Sequence, residues 1–119
     1  MSAESEIKKI TVPDILDLKK KGQKITALTA YDYLMAEMLD QAGIDIILVG
    51  DSLGMVIQGY KDTLKVTMDE MVYHTAMVSR AEPSSFLVAD MPFESYHVTV
   101  EQGVKNAIRF VKDGWCGSC

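Results

Sequence analysis

A chain of 119 residues with 48% hydrophobic and 24% charged residues is the size of one small soluble domain and is able to bury a core. Its 17 acidic against 12 basic residues leave a net charge of −5, which argues against the clustered Lys and Arg that nucleic acid or an anionic membrane demands. No stretch nears the roughly 18 consecutive apolar residues of a membrane span, and MSAESEIKKI lacks the features of a signal or transit peptide, so the expected location is cytoplasmic.

Along the chain the apolar period switches between helix and strand. Thr11 followed by Pro13 and Asp14 predicts a helix start, Ile15, Leu16 and Leu18 give it an apolar side, and Gly22 is its stop. The lysines at 19–21 then mark its solvated, dipole-complementing end. KITALTA (24–30) reads as a strand, and Asp32 caps a helix with Met35, Met38, Leu39 and Ala42 on one side, ending at Gly43. DIILVG (45–50) is a continuous aliphatic run of the kind covered on both faces. After a glycine-rich loop, Thr67 and Glu70 form a capping box for a helix with its stripe at Met68, Met71, Val72, Thr75 and Val78. SSFLVAD (84–90) is the third strand. Thr99 and Gln102 make a second capping box, with Val100, Val104, Ala107, Ile108 and Val111 on one helical face before Gly114.

The order is one helix and then three β-α units, without a hairpin signal, so the sheet is expected to be parallel and the fold class α/β. A doubly wound open sheet and a (β/α)8 barrel both fit, and both place ligands at the carboxyl ends of the strands. Three strands make a small sheet, and the sequence stops where a fourth would begin, so the chain is expected to be incomplete.

Two of the strands end in aspartate: Asp51 in VGDSLG and Asp90 in VADMPF. If these strands are neighbours, the carboxylates emerge roughly 5 Å apart, the strand spacing. Their repulsion is relieved by a shared proton or by a cation, and hard oxygen ligands suit Mg²⁺, which takes one or two carboxylates and fills its octahedron with water and substrate oxygens. The plainer role for a strand-end aspartate is a helix or loop cap.

The ordered runs LTAYDY, ILVGDSLGMV, GY, TMDEM, YHT and VADMPF resemble the ketopantoate (3-methyl-2-oxobutanoate) hydroxymethyltransferase family over about residues 8–114. The resemblance implies a (β/α)8 barrel of the phosphoenolpyruvate/pyruvate type, here its N-terminal helix and first three βα units, assembled as a homo-oligomer when full length. It implies transfer of a one-carbon unit from the folate co-substrate 5,10-methylenetetrahydrofolate to 3-methyl-2-oxobutanoate, a step of pantothenate biosynthesis. Carried over residue by residue, Asp51 and Asp90 help hold Mg²⁺, which the 2-oxo acid chelates, and Ser52 fixes the substrate carboxylate. The metal polarises the keto group so that the neighbouring C–H becomes acidic.

The family's fourth strand supplies a lysine and a metal-site glutamate, and a later strand the general base; none has a counterpart here, so no catalytic base is assigned. Residues 1–119 are expected to form the N-terminal portion of one barrel domain, of the roughly 250 residues that such a barrel needs. Residues 115–119, WCGSC, depart from the family pattern, and the chain by itself is not expected to turn over substrate.

Other motifs point elsewhere. WCGSC resembles a thioredoxin redox motif, but no helix follows Cys119 to lower a thiol pKa, and two cysteines are half a zinc site. GDSL (50–53) resembles the nucleophile block of GDSL-type esterases with Ser52 as nucleophile, yet no D-x-x-H precedes His74 or His97, which read as structural. GMVIQGYK mimics a phosphate loop, with Tyr60 in place of its lysine. Met35, Met38, Met68 and Met71 read as core filling. The alternatives to the transferase are therefore a GDSL-like ester hydrolase and a non-catalytic fragment that packs on a partner subunit.

Overall fold

The computed structural model describes residues 8–115. Helix α1 (Val12–Lys20) starts at Thr11, whose N–H and hydroxyl both donate to Asp14 Oδ2 at 2.9 Å. Strand β1 (Ala27–Thr29) leads to α2 (Tyr33–Gln41), capped by Asp32, which accepts from the Met35 N–H at 2.8 Å. Gly22 and Gly43 follow the two helices at φ +72° and +83°, left-handed positions that suit a residue without Cβ. Strand β2 (Ile46–Val49) enters a short helix α3 (Leu53–Val56) within the expected loop. Helix α4 (Met68–Ser79) carries the predicted reciprocal box: Thr67 Oγ1 accepts from Glu70 N–H at 3.1 Å, and Glu70 Oε1 accepts from Thr67 N–H at 2.8 Å. Strand β3 (Phe86–Ala89) precedes α5 (Val100–Arg109), which runs into a π-helical turn, Phe110–Gly114.

The sheet is parallel throughout, in the order β1-β2-β3, with Leu28 opposite Ile47, Ile47 opposite Leu87 and Val49 opposite Ala89. The core lies between the sheet and the helices: Ile47, Val49 and Leu87 pack with Ala36, Leu53, Met71, Val72, Val78 and Phe110. The fold class and the α4 stripe match the sequence reading.

Several packing expectations are corrected. β2 is not covered equally on both faces: Ile47 and Val49 are buried, whereas Ile46 and Leu48 are only half-buried, because the helices supply one layer. β1 is an exposed edge strand, and beside it Met35 and Met38 face solvent; the core contacts of α2 are Ala36 and Leu39 instead. The apolar side of α1 buries no residue, though Lys19 and Lys20 are exposed in its last turn and Lys21 pairs with Asp17 at 2.8 Å, as a solvated end should. The predicted α5 stripe is exposed, with Val100 at 83%. The π turn buries Phe110 and Gly114 instead and closes with Trp115 N–H donating to the Phe110 carbonyl at 2.8 Å, while Val111 stays exposed like the rest of the stripe. The second capping box is half formed: Thr99 Oγ1 accepts from Gln102 N–H at 3.0 Å, but the Gln102 side chain does not return. It lines a hollow between α5 and the start of α4, its Oε1 buried without a hydrogen-bond partner.

Candidate active site at the carboxyl ends of the strands

All three strands deliver a polar side chain to the same end of the sheet. Asp90 directly follows β3, and its N–H continues the ladder to the Val49 carbonyl at 3.0 Å. In register it stands beside Gly50, so Asp51 is one residue further along than the side-by-side arrangement expected from sequence. The two are nevertheless joined, because Asp51 N–H donates to Asp90 Oδ2 at 3.1 Å.

Gly50 makes this approach possible. A Cβ there would sit 3.1 Å from Ser52 Oγ and 3.3 Å from Asp90 Oδ2, closer than ordinary van der Waals contact. Beyond it the chain turns tightly, with Leu53 N–H bonded to the Gly50 carbonyl at 3.1 Å and the Leu53 side chain fully buried as an anchor. The GDSL run is thus a strand end, two polar residues aimed outward by a turn, and an apolar plug.

Asp51, Asp90, Met91 and Tyr96 line an open cleft of about 460 Å³. Partial burial and, after it, the negative charge of Asp90 hold the Asp51 carboxyl above the usual carboxylate range, while a hydrogen bond from Thr63 pulls the other way. The pair therefore carries repulsion that the surrounding protein leaves partly uncompensated. Among the described residues no group of three or more His, Cys, Asp or Glu is placed to hold a metal ion, so any ion here would take its remaining ligands from water, substrate or other protein groups.

Ser52 Oγ lies 2.7 Å from the hydroxyl of Tyr31, the second residue after β1. Tyr31 belongs to the LTAYDY run and carries no assigned role by residue type alone; its place just past the end of β1, like those of Asp51 and Asp90 past β2 and β3, is the signal in the sequence that marks it. His74 on α4 bonds the Tyr31 carbonyl through Nδ1 at 2.7 Å, and since a carbonyl only accepts, Nδ1 carries the proton. His97 Nδ1 accepts the Glu94 N–H at 3.0 Å, and its ring lies against Tyr96 and Phe93. Neither histidine is a hydrogen-bond partner of Ser52, so the serine–histidine pair of an ester hydrolase is not assembled. The cysteines of WCGSC lie outside the described residues.

The profile described as ketopantoate hydroxymethyltransferase matches residues 9–118. The chain belongs to the ketopantoate hydroxymethyltransferase family. It is 54% identical to the 3-methyl-2-oxobutanoate hydroxymethyltransferase of Pelobacter propionicus over 90% of this chain and 40% of that relative. It is 54% identical to the protein so named from Syntrophus aciditrophicus, over 95% of this chain and 42% of the relative. The relative of the same name from Ignicoccus hospitalis is 52% identical over 91% of this chain and 41% of its own length. This is an enzyme family, and the chain spans about two-fifths of the length of these relatives. Among the described residues no helix is long and apolar enough to cross a membrane.

Proposed function

We propose that these residues form the N-terminal portion of a single (β/α)8 barrel that transfers a hydroxymethyl group from 5,10-methylenetetrahydrofolate to 3-methyl-2-oxobutanoate in the cytoplasm, giving 2-dehydropantoate for pantothenate biosynthesis. The sequential strand order is that of a barrel and excludes the doubly wound order 2-1-3, while the classic doubly wound sheet shares it through its first three strands and reverses only with its fourth. The half-buried apolar face formed by Ile46, Leu48, Phe86 and Val88 suits a barrel interior, which further strands would fill. The relatives' greater length leaves room for them.

The observation that carries the chemical reading is the pair Asp51 and Asp90 on one cleft at adjacent strand ends. Two hard-oxygen donors with unrelieved like charge fit Mg²⁺, and these two residues would hold it. Bound there, the ion would supply Lewis acidity to a chelating 2-oxo acid, polarising its keto group. The chain's own part is positional. Gly50 leaves room for the carboxylates, the Asp51 N–H orients Asp90, and the Ser52 hydroxyl donates to the substrate carboxylate. In this reading the general base comes from outside these residues, so the 119-residue chain binds substrate without completing turnover.

Calorimetric titration of 3-methyl-2-oxobutanoate into the chain tests the site. Binding is expected with Mg²⁺ and not with EDTA, and Asp51→Asn or Asp90→Asn should abolish it. Binding that ignores both metal and substitutions would refute the assignment.

A second reading, a chain that packs on a partner subunit, is favoured by the exposed Val100, Val104 and Ile108 of α5. Homo-oligomeric assembly of the full-length protein would use such a surface. Sedimentation equilibrium distinguishes a monomer from an assembly.

A further inference from the structure

Ser52 Oγ and Tyr31 Oη are 2.7 Å apart, and the next link, Tyr31 carbonyl to His74 Nδ1, is also 2.7 Å. The chain of contacts runs from α4 through the end of β1 to the end of β2, and it stops at the residue beside the two carboxylates.

A serine hydroxyl rotates freely unless a partner holds it, and it can present its hydrogen or a lone pair to a ligand. The phenol is the more acidic of the two hydroxyls and the stronger donor. When Tyr31 donates to Ser52 Oγ, it occupies a serine lone pair and leaves the serine hydrogen for another acceptor. Asp51 and Asp90 line the adjoining cleft, so an anionic ligand there meets two negative charges and needs each available donor. We propose that Tyr31 is a positioning residue, which sets the Ser52 hydroxyl as a donor to the carboxylate of a 2-oxo acid, and that His74 fixes Tyr31 through its main chain.

His74 acts at one remove. Its Nδ1–H holds the Tyr31 carbonyl, and the Ala30 N–H just before it is held by the Leu48 carbonyl at 3.0 Å. The tyrosine backbone is thereby pinned from α4 and from β2, which gives the phenol a fixed base.

This inference rests on the reading of the cleft as a Mg²⁺ and 2-oxo acid site, and calorimetry on the 119-residue chain separates the two. Tyr31→Phe keeps the ring and removes one hydroxyl. It is expected to weaken binding of 3-methyl-2-oxobutanoate in the presence of Mg²⁺ about tenfold, the size of one hydrogen bond to a charged group, while Mg²⁺ affinity changes by less than about twofold. Ser52→Ala should cost at least as much, and Tyr31→Phe added to it should cost nothing more, since Tyr31 acts through the serine. His74→Ala should lose part of the affinity, and His74→Asn, which retains an N–H near the Nδ1 position, should restore it. Wild-type affinity in Tyr31→Phe, or full additivity with Ser52→Ala, overturns the positioning role while leaving the metal site standing. Failure of the wild-type chain to bind the acid with Mg²⁺ overturns the site reading itself and this inference with it.

Discussion

The two ends of the sheet treat their aspartates differently. At the amino ends, Asp40 Oδ1 accepts from Ser84 Oγ at 2.7 Å and from both the N–H and hydroxyl of Ser85 at 3.1 Å. Asp45 Oδ2 accepts from the N–H and hydroxyl of Thr26 at 2.9 and 3.1 Å, and the Asp45 N–H returns a bond to the Thr26 hydroxyl at 2.9 Å. These carboxylates tie α2 to β3 and β1 to β2. At the carboxyl ends, Asp90 accepts one N–H from Asp51, and Asp51 is helped by Thr63 while burial and Asp90 work against its charge. A carboxylate surrounded by donors acts as a staple. One placed beside another, short of donors, keeps oxygen lone pairs free for a ligand, the division of labour that parallel α/β folds place at opposite ends of the strands.

Substitution at the amino end is expected to have the largest effect on stability. Asp40→Ala strands the Ser85 N–H in a buried setting, while the Ser85 hydroxyl keeps the Ile44 carbonyl at 2.6 Å, and should cost about 2 kcal/mol in urea unfolding; a loss below about 0.5 kcal/mol would break the comparison. Thr67→Ala should cost about 1 kcal/mol by removing the cap of α4, read from the same unfolding curves.

The pH dependence sharpens the contrast within the carboxyl-end region itself. Bonds from the Thr67 backbone and hydroxyl hold the Glu70 carboxyl below its ordinary value of 4.5. Its contribution is complete above that value and is lost as pH falls through the lowered folded pKa. Asp51 has the opposite sign. Its folded pKa is raised, so its ionisation opposes folding as pH rises through that pKa. Thermal melts from acidic to neutral pH should therefore show Glu70→Gln reducing the acid-side loss of stability. The smallest effect belongs to Asp51→Asn, which should not lower the neutral-pH melting temperature without metal and should raise it slightly. That variant should also abolish any rise in melting temperature on adding Mg²⁺. A clear loss of stability would make Asp51 a staple like Asp40.

Much of this was legible in the chain. Capping chemistry is local, so Thr11, Asp32, Thr67 and Thr99 marked their helices correctly. The alternation of β and α dictated a parallel sheet, and VGDSLG and VADMPF drew attention to the end of the sheet where Asp51 and Asp90 line one cleft. Less legible were the features that depend on what packs against what. Met35 and Met38 have the spacing of a buried stripe, but periodicity records which residues share a face and not whether anything covers it. The α5 stripe misled for the same reason, and the π turn that buries Phe110 breaks the period that the prediction assumed. The Gln102 side chain fits a capping box by spacing and lines a hollow instead.

By itself the sequence determined the α/β class, the order of elements, the cap residues and the aspartates at two strand ends, because each follows from contacts between residues close along the chain or from the residue types themselves. Tertiary structure alone decided that β2 and β3 are neighbours, that Asp90 stands beside Gly50 with the Asp51 N–H bonded to its carboxylate, and that Tyr31 reaches Ser52 across 21 positions. Register and close approach between distant segments are set by how whole elements pack, and a pattern read along one strand carries no record of what its neighbour places alongside it.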